Sequence, residues 1–67
     1  MNKFAQKLKQ LRTDKKLHQK DLANQLTIDQ RTVSNWEKGI REPNFDMLIK
    51  IAKFFAVSTD YLLGLED

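Results

Sequence analysis

Sixty-seven residues with 12 Lys/Arg, 9 Asp/Glu, one His and no Cys make one domain around one core, burying roughly 60% of the surface that the unfolded chain exposes. Without cysteine there is neither a disulfide framework nor a thiolate metal site, and a lone histidine cannot complete the ligand set of a structural zinc. No apolar run approaches the roughly 20 residues that span a bilayer, and the start MNKFAQKLKQ is amphipathic where a secretory signal is continuously apolar, so a cytoplasmic protein is expected.

Only two Gly and one Pro interrupt the chain, and apolar residues recur at helical spacing nearly throughout, which predicts an all-α domain. Phe4, Leu8 and Leu11 share one face of a first helix over about residues 2–15, with Lys3, Lys7, Gln10 and Asp14 elsewhere on the wheel. Residues 1–20 hold seven Lys/Arg against one Asp, whereas the remainder is net acidic. A basic patch of this kind suits a polyanion, because Lys and Arg that neutralise phosphates release condensed counterions, although a charge run taken alone is more often a solvated helix face. An acidic membrane is a poorer partner, since Phe4, Leu8 and Leu11 are needed for the core.

The later helices begin with a repeated device: an apolar residue, a polar cap, and a second apolar residue that closes a hydrophobic staple. Leu17, His18 and Leu22 open a second helix over residues 19–26; Ile28, Asp29 and Val33 open a third over 30–38; Val57, Ser58 and Leu62 open a fifth over 59–63. Pro43 and Asn44 precede a fourth over 45–55, apolar over so wide an arc that it is expected to be central. Asp29 and Ser58 can accept orphan backbone N–H bonds, and Gly39 and Gly64 are placed to close helices in the left-handed conformation. The second helix is too short to persist alone and must bury Leu22, Ala23 and Leu26.

Only Thr27, Ile28 and Asp29 join the second and third helices, the connection length of a helix-turn-helix. Val33 and Trp36 take the inward side of the third helix, and Gln30, Arg31, Thr32, Ser34 and Asn35 project from its N-terminal half. Gln and Asn can make paired bonds to adenine and Arg to guanine, so this surface fits base edges in a major groove. Trp36 is read as a core residue and not as a stacking platform for single-stranded bases, because it falls at helical spacing from Val33.

LKQLRTDKKLHQKDLANQL, TIDQRTVSNWEKGIREP and NFDMLIKIAKFFAVSTDYLLG together resemble the Cro/C1-type (XRE) helix-turn-helix family of phage and bacterial regulators over nearly the whole chain. The resemblance implies a five-helix, lambda-repressor-like domain that binds double-stranded DNA. It implies base contacts from Gln30, Arg31 and Asn35, with Thr32 and Ser34 at the edge of the groove, and phosphate contacts from Gln19, Lys38, Arg41 and Asn44. Arg12 and Glu37 match a partly buried ion pair of phage repressors that fastens the first helix to the end of the third. Tyr61, Leu65 and Phe54 carry more apolar surface than so small a core needs and are candidates for a homodimer contact. The sequence departs from the family pattern at His18, a weaker cap than Ser or Thr, and at Thr27, where Gly is common and a β-branched residue is costly at positive φ.

No nucleophile, base and orienting group recur at recognisable spacing and no Gly-rich phosphate loop is present, so an enzyme is not expected, nor a cofactor, metal or small-molecule ligand. The competing reading is an antitoxin or protein-interaction module with the same fold, whose third-helix surface should be richer in apolar anchors.

Overall fold

The computed structural model describes residues 3–66, which form five helices: α1 (Phe4–Asp14), α2 (Gln19–Leu26), α3 (Gln30–Glu37), α4 (Phe45–Phe55) and α5 (Thr59–Leu63). Residue 2, included in the expected first helix, lies outside the described residues. The core comprises Phe4 and Leu8 of α1, Leu22, Ala23 and Leu26 of α2, Val33 and Trp36 of α3, Ile51, Ala52 and Phe55 of α4, and Leu62 of α5. Phe4 meets Trp36 edge to face, with ring centroids 6.2 Å apart, an arrangement favoured by the ring quadrupoles.

All five helices close in the same way. A left-handed residue stands at the end of each: the C-cap itself at Thr27, Ala56 and Gly64, and the residue after the cap at Lys16 and Gly39. In each case the following N–H reaches back five residues: Leu17 to Arg12, Ile28 to Ala23, Ile40 to Asn35, Val57 to Ala52 and Leu65 to Asp60, at 2.8–3.0 Å. This is the Schellman closure, in which an apolar residue follows the left-handed one. Leu17, Ile28 and Val57 therefore end one helix and also precede the cap of the next. The first helix stops at Asp14, short of residue 15, because Lys16 has φ +59. The third stops at Glu37, with Lys38 as its cap before Gly39 at φ +75.

The starts of α3, α4 and α5 are capped by side chains. Asp29 accepts from the Arg31 N–H, Asn44 from Met47 and Ser58 from Tyr61, at 2.7, 2.8 and 2.9 Å. At the weaker His18 cap, Asp21 accepts the His18 backbone N–H at 2.9 Å. Thr27 does occupy the left-handed region, at φ 59 and ψ 47, so the domain carries there the strain that Gly would avoid. Part of the C-terminal deficit of α2 is met from another helix, since Lys50 Nζ donates to the Leu26 carbonyl at 2.9 Å.

The expectation of a central fourth helix is corrected. Close packing runs α2 on α3, α3 on α1, α1 on α5 and α5 on α4, so α1 joins the two halves. The apolar arc of α4 is wider than its buried stripe: Phe45 is 83% and Ile49 46% exposed.

Candidate nucleic-acid interface

Val33 and Trp36, fully or almost fully buried, fix which side of α3 faces the core. Gln30 and Arg31 on its first turn are exposed, while Thr32, Ser34 and Asn35 are half-buried. None of the five is enclosed by the chain. Arg31 is also tied locally: its Nε–H donates to Asp29 Oδ1 at 3.2 Å, the same oxygen that accepts its backbone N–H. These two bonds and the nearby cationic charge hold the Asp29 carboxyl below the usual carboxylate range, the backbone bond being the largest cause.

A cleft of about 430 Å³ separates the later part of α3 from the segment leading into α4. It brings Thr32 and Asn35 together with Arg41 and Asn44, so one groove-edge candidate and one base-contact candidate share a concave surface with two phosphate candidates. The Asn44 Oδ1 is occupied in capping α4. Its amide nitrogen is the part suited to an anion. Lys38 is exposed at the end of α3.

Behind α3 lies a polar clamp. Arg12 Nε and Nη2 donate to Glu37 Oε2 and Oε1 at 2.7 and 2.9 Å, and Nη1 donates to the Leu17 carbonyl at 2.7 Å. The side chains of the pair are only 10% and 5% exposed. The carboxylate stabilises the charged guanidinium and raises its pKa against the opposing cost of burial. Gln19 joins the same group through Nε2 to Glu37 Oε1 at 3.2 Å, so this phosphate candidate is partly committed within the protein. One network thus links the end of α1, the junction at Leu17, the start of α2 and the end of α3.

The three dimer candidates differ in environment. Leu65 is 73% exposed. Tyr61 is half-buried, with Lys7 Nζ 4.4 Å from its ring centroid. Phe54 packs against the core and meets Phe55 edge to face at 4.9 Å. The sequence reading overlooked Phe45 and Ile40, 83% and 64% exposed. It also missed the attachment of Arg31 to Asp29, whose signal is a carboxylate cap two residues before a long cation.

A pattern for helix-turn-helix domains matches residues 8–62, which covers the clamp, the α2–α3 pair and the closing helices. The chain belongs to the Cro/C1-type helix-turn-helix family. The helix-turn-helix chain is 47% identical over 64 residues to the HTH-type transcriptional activator BcrR of Enterococcus faecalis, covering 96% of this chain and 31% of that protein. Over 54 residues it is 33% identical to the cryptic phage CTXphi transcriptional repressor RstR of Vibrio cholerae, covering 81% and 49%. A crystal structure of a transcriptional regulator from Listeria innocua superimposes with a TM-score of 0.91 at 30% identity, over 100% of this chain and 63% of that one. The chain spans about a third to a half of the length of these curated relatives. Among the described residues no helix is long and apolar enough to cross a membrane.

Proposed function

We propose that this chain is the sequence-reading domain of a cytoplasmic transcriptional regulator, which places α3 in the major groove of double-stranded DNA. The observation that carries the proposal is the polarity of α3: Val33 and Trp36 are anchored in the core while Gln30 and Arg31 stand in solvent. Arg31 suits guanine O6 and N7, and Gln30 and Asn35 suit adenine N6 and N7. Lys38, Arg41, Asn44 and Gln19 would fix register on the phosphates, which carry no sequence information themselves. Two copies on an approximate palindrome would set their α3 helices about 34–36 Å apart, in successive major grooves, with Leu65 and Tyr61 as contacts between them. Occupation of a promoter in this way blocks polymerase, so repression is the mode we assign.

Selection of binding sites from a random duplex pool, repeated at two salt concentrations, tests the proposal. A palindromic consensus that survives the higher salt supports it. Affinity that is indifferent to sequence and collapses with salt refutes base readout and leaves only a polycation.

A protein-interaction module is the second reading, favoured by one observation. Phe45, 83% exposed, flanks a groove with Phe4, Pro43, Leu48 and Leu63, and apolar surface of this sort marks contacts with other proteins. Ser34, Asn35, Gln30 and Arg31 offer no such anchors, so that reading leaves the surface of α3 unexplained.

A further inference from the structure

Asp29 does more than start α3. Its Oδ1 accepts both the backbone N–H and the Nε–H of Arg31, at 2.7 and 3.2 Å. Among the described residues no other hydrogen bond restrains that guanidinium, whose side chain is 89% exposed, against 57% for Asp29. An ion pair so open to water contributes little to folding. Its role is to be sought in what the guanidinium does next.

We infer that Asp29 is a positioning residue for sequence readout, holding Arg31 by its Nε edge and presenting both Nη groups to the base pair. The inference rests on Arg31 being a base-reading residue, as proposed above. A guanidinium has five N–H donors in a rigid plane, and guanine takes two of them from one side through O6 and N7. With Nε–H engaged by Asp29, the distal Nη1/Nη2 edge is the one left for that task. A long side chain free in solvent must give up its rotamer freedom when it docks, and that loss weakens the bonds whose geometry discriminates between bases. A carboxylate two residues earlier, itself fixed as the helix cap, removes part of the loss before DNA arrives. The Asp29 carboxyl sits below the ordinary carboxylate range, so the arrangement is ionised at neutral pH.

Asp29 also places a negative charge at the tip of the helix that enters the groove. That charge disfavours every duplex alike through the phosphates, whereas the positioned Arg31 favours one base pair. The pair therefore lowers general affinity and sharpens choice, the pattern by which specificity gains from a repulsive element.

Asp29→Asn tests this, because it keeps an oxygen for the Arg31 backbone N–H and removes the charge. Affinities are measured at two salt concentrations for the selected site, for a site altered at the base pair whose preference Arg31→Ala relaxes, and for random duplex. Thermal unfolding is followed in parallel; if Asp29→Asn fails to fold, Asp29→Ser, also a capping residue, replaces it. We expect random-duplex affinity to rise and discrimination at the Arg31 base pair to fall about five-fold, the equivalent of restraining one long side chain. In an Arg31→Ala background the same change should leave discrimination untouched. Discrimination that is unaltered in the Arg31 protein, or altered equally in both backgrounds, overturns the positioning role while base reading by Arg31 stands. If Arg31→Ala relaxes no base pair at all, the reading of Arg31 falls and the inference with it.

Discussion

Replacing Glu37 with Gln keeps the shape of the side chain and removes the charge that Arg12 faces. Arg12 and Glu37 are 10% and 5% exposed, so the guanidinium left behind cannot turn to water for compensation. It would retain the Leu17 carbonyl, now bonded at 2.7 Å, and one amide oxygen, but the new NH₂ would oppose a donor with a donor. Leaving a buried charge without its partner costs about 3–5 kcal/mol, and the surviving acceptors place Glu37→Gln near 3. A chain of 67 residues has about 3–10 kcal/mol of stability in all, at about 0.05–0.15 kcal/mol per residue. With a urea slope of about 1 kcal/mol/M for so small a domain, the midpoint should fall by about 3 M. Equilibrium unfolding followed by Trp36 fluorescence is the assay. The double variant Arg12→Met/Glu37→Met should recover most of the loss, because an apolar pair requires no desolvation of charge. A shift below about 1 M for Glu37→Gln, the scale of an exposed pair, would refute the claim that this clamp is energetically buried.

Thr27→Gly should raise the melting temperature by about 4 °C: relief of left-handed strain, about 1–2 kcal/mol, outweighs the backbone entropy of Gly, about 0.5–1 kcal/mol, and the surplus is converted by the melting entropy of a small domain. Gly64→Ala should destabilise more than Gly39→Ala in the same thermal assay, since a Cβ at Gly64 meets Lys3 Cβ at 2.9 Å whereas one at Gly39 has nothing within 4 Å. Arg31→Ala should cost about 1–3 kcal/mol on the preferred duplex and relax one base pair, whereas Lys38→Ala should weaken all duplexes and reduce the salt slope by about one, as read from titrations at several salt concentrations. The depressed Asp29 pKa means that its charge stabilises the fold above the unfolded value of about 3.9 and ceases to do so as pH falls through the lower native value. Unfolding of Asp29→Asn should therefore lack that part of the acid-side decline, in a comparison with the parent protein between about pH 2 and 6.

The five helices and the inward set of α3 were legible because they rest on periodicity and caps, which are local. Leu17, Ile28 and Val57 announced three starts by standing before a polar residue and five positions ahead of an apolar one. Helix ends were less legible. Gly39 and Gly64 signalled left-handed closures, but Lys16 and Ala56 do the same work without glycine, and nothing in their own identity shows it; the signal lies in the apolar residue that follows. The α4 arc was misjudged because hydrophobic residues at helical spacing reveal that a face is apolar without revealing whether another helix covers it: Met47, Leu48 and Phe54 on that arc are only half-buried. Side-chain partners were the least legible of all. That Gln19 bonds to Glu37 and Lys50 to Leu26 depends on positions 18 and 24 residues apart, which only the packed chain brings together.

Because Leu17, Ile28 and Val57 each serve the helix behind and the helix ahead, the α1–α2, α2–α3 and α4–α5 corners have no spare length. One residue added or removed between Thr27 and Asp29 would rotate α3 about its own axis relative to α2, turning Arg31 away from the face proposed to meet DNA while every helix remained intact. Evolution of such a domain toward a new DNA site is thus channelled into exchanges of side chains on a stiff frame, and the corners tolerate a change of letter far better than a change of count.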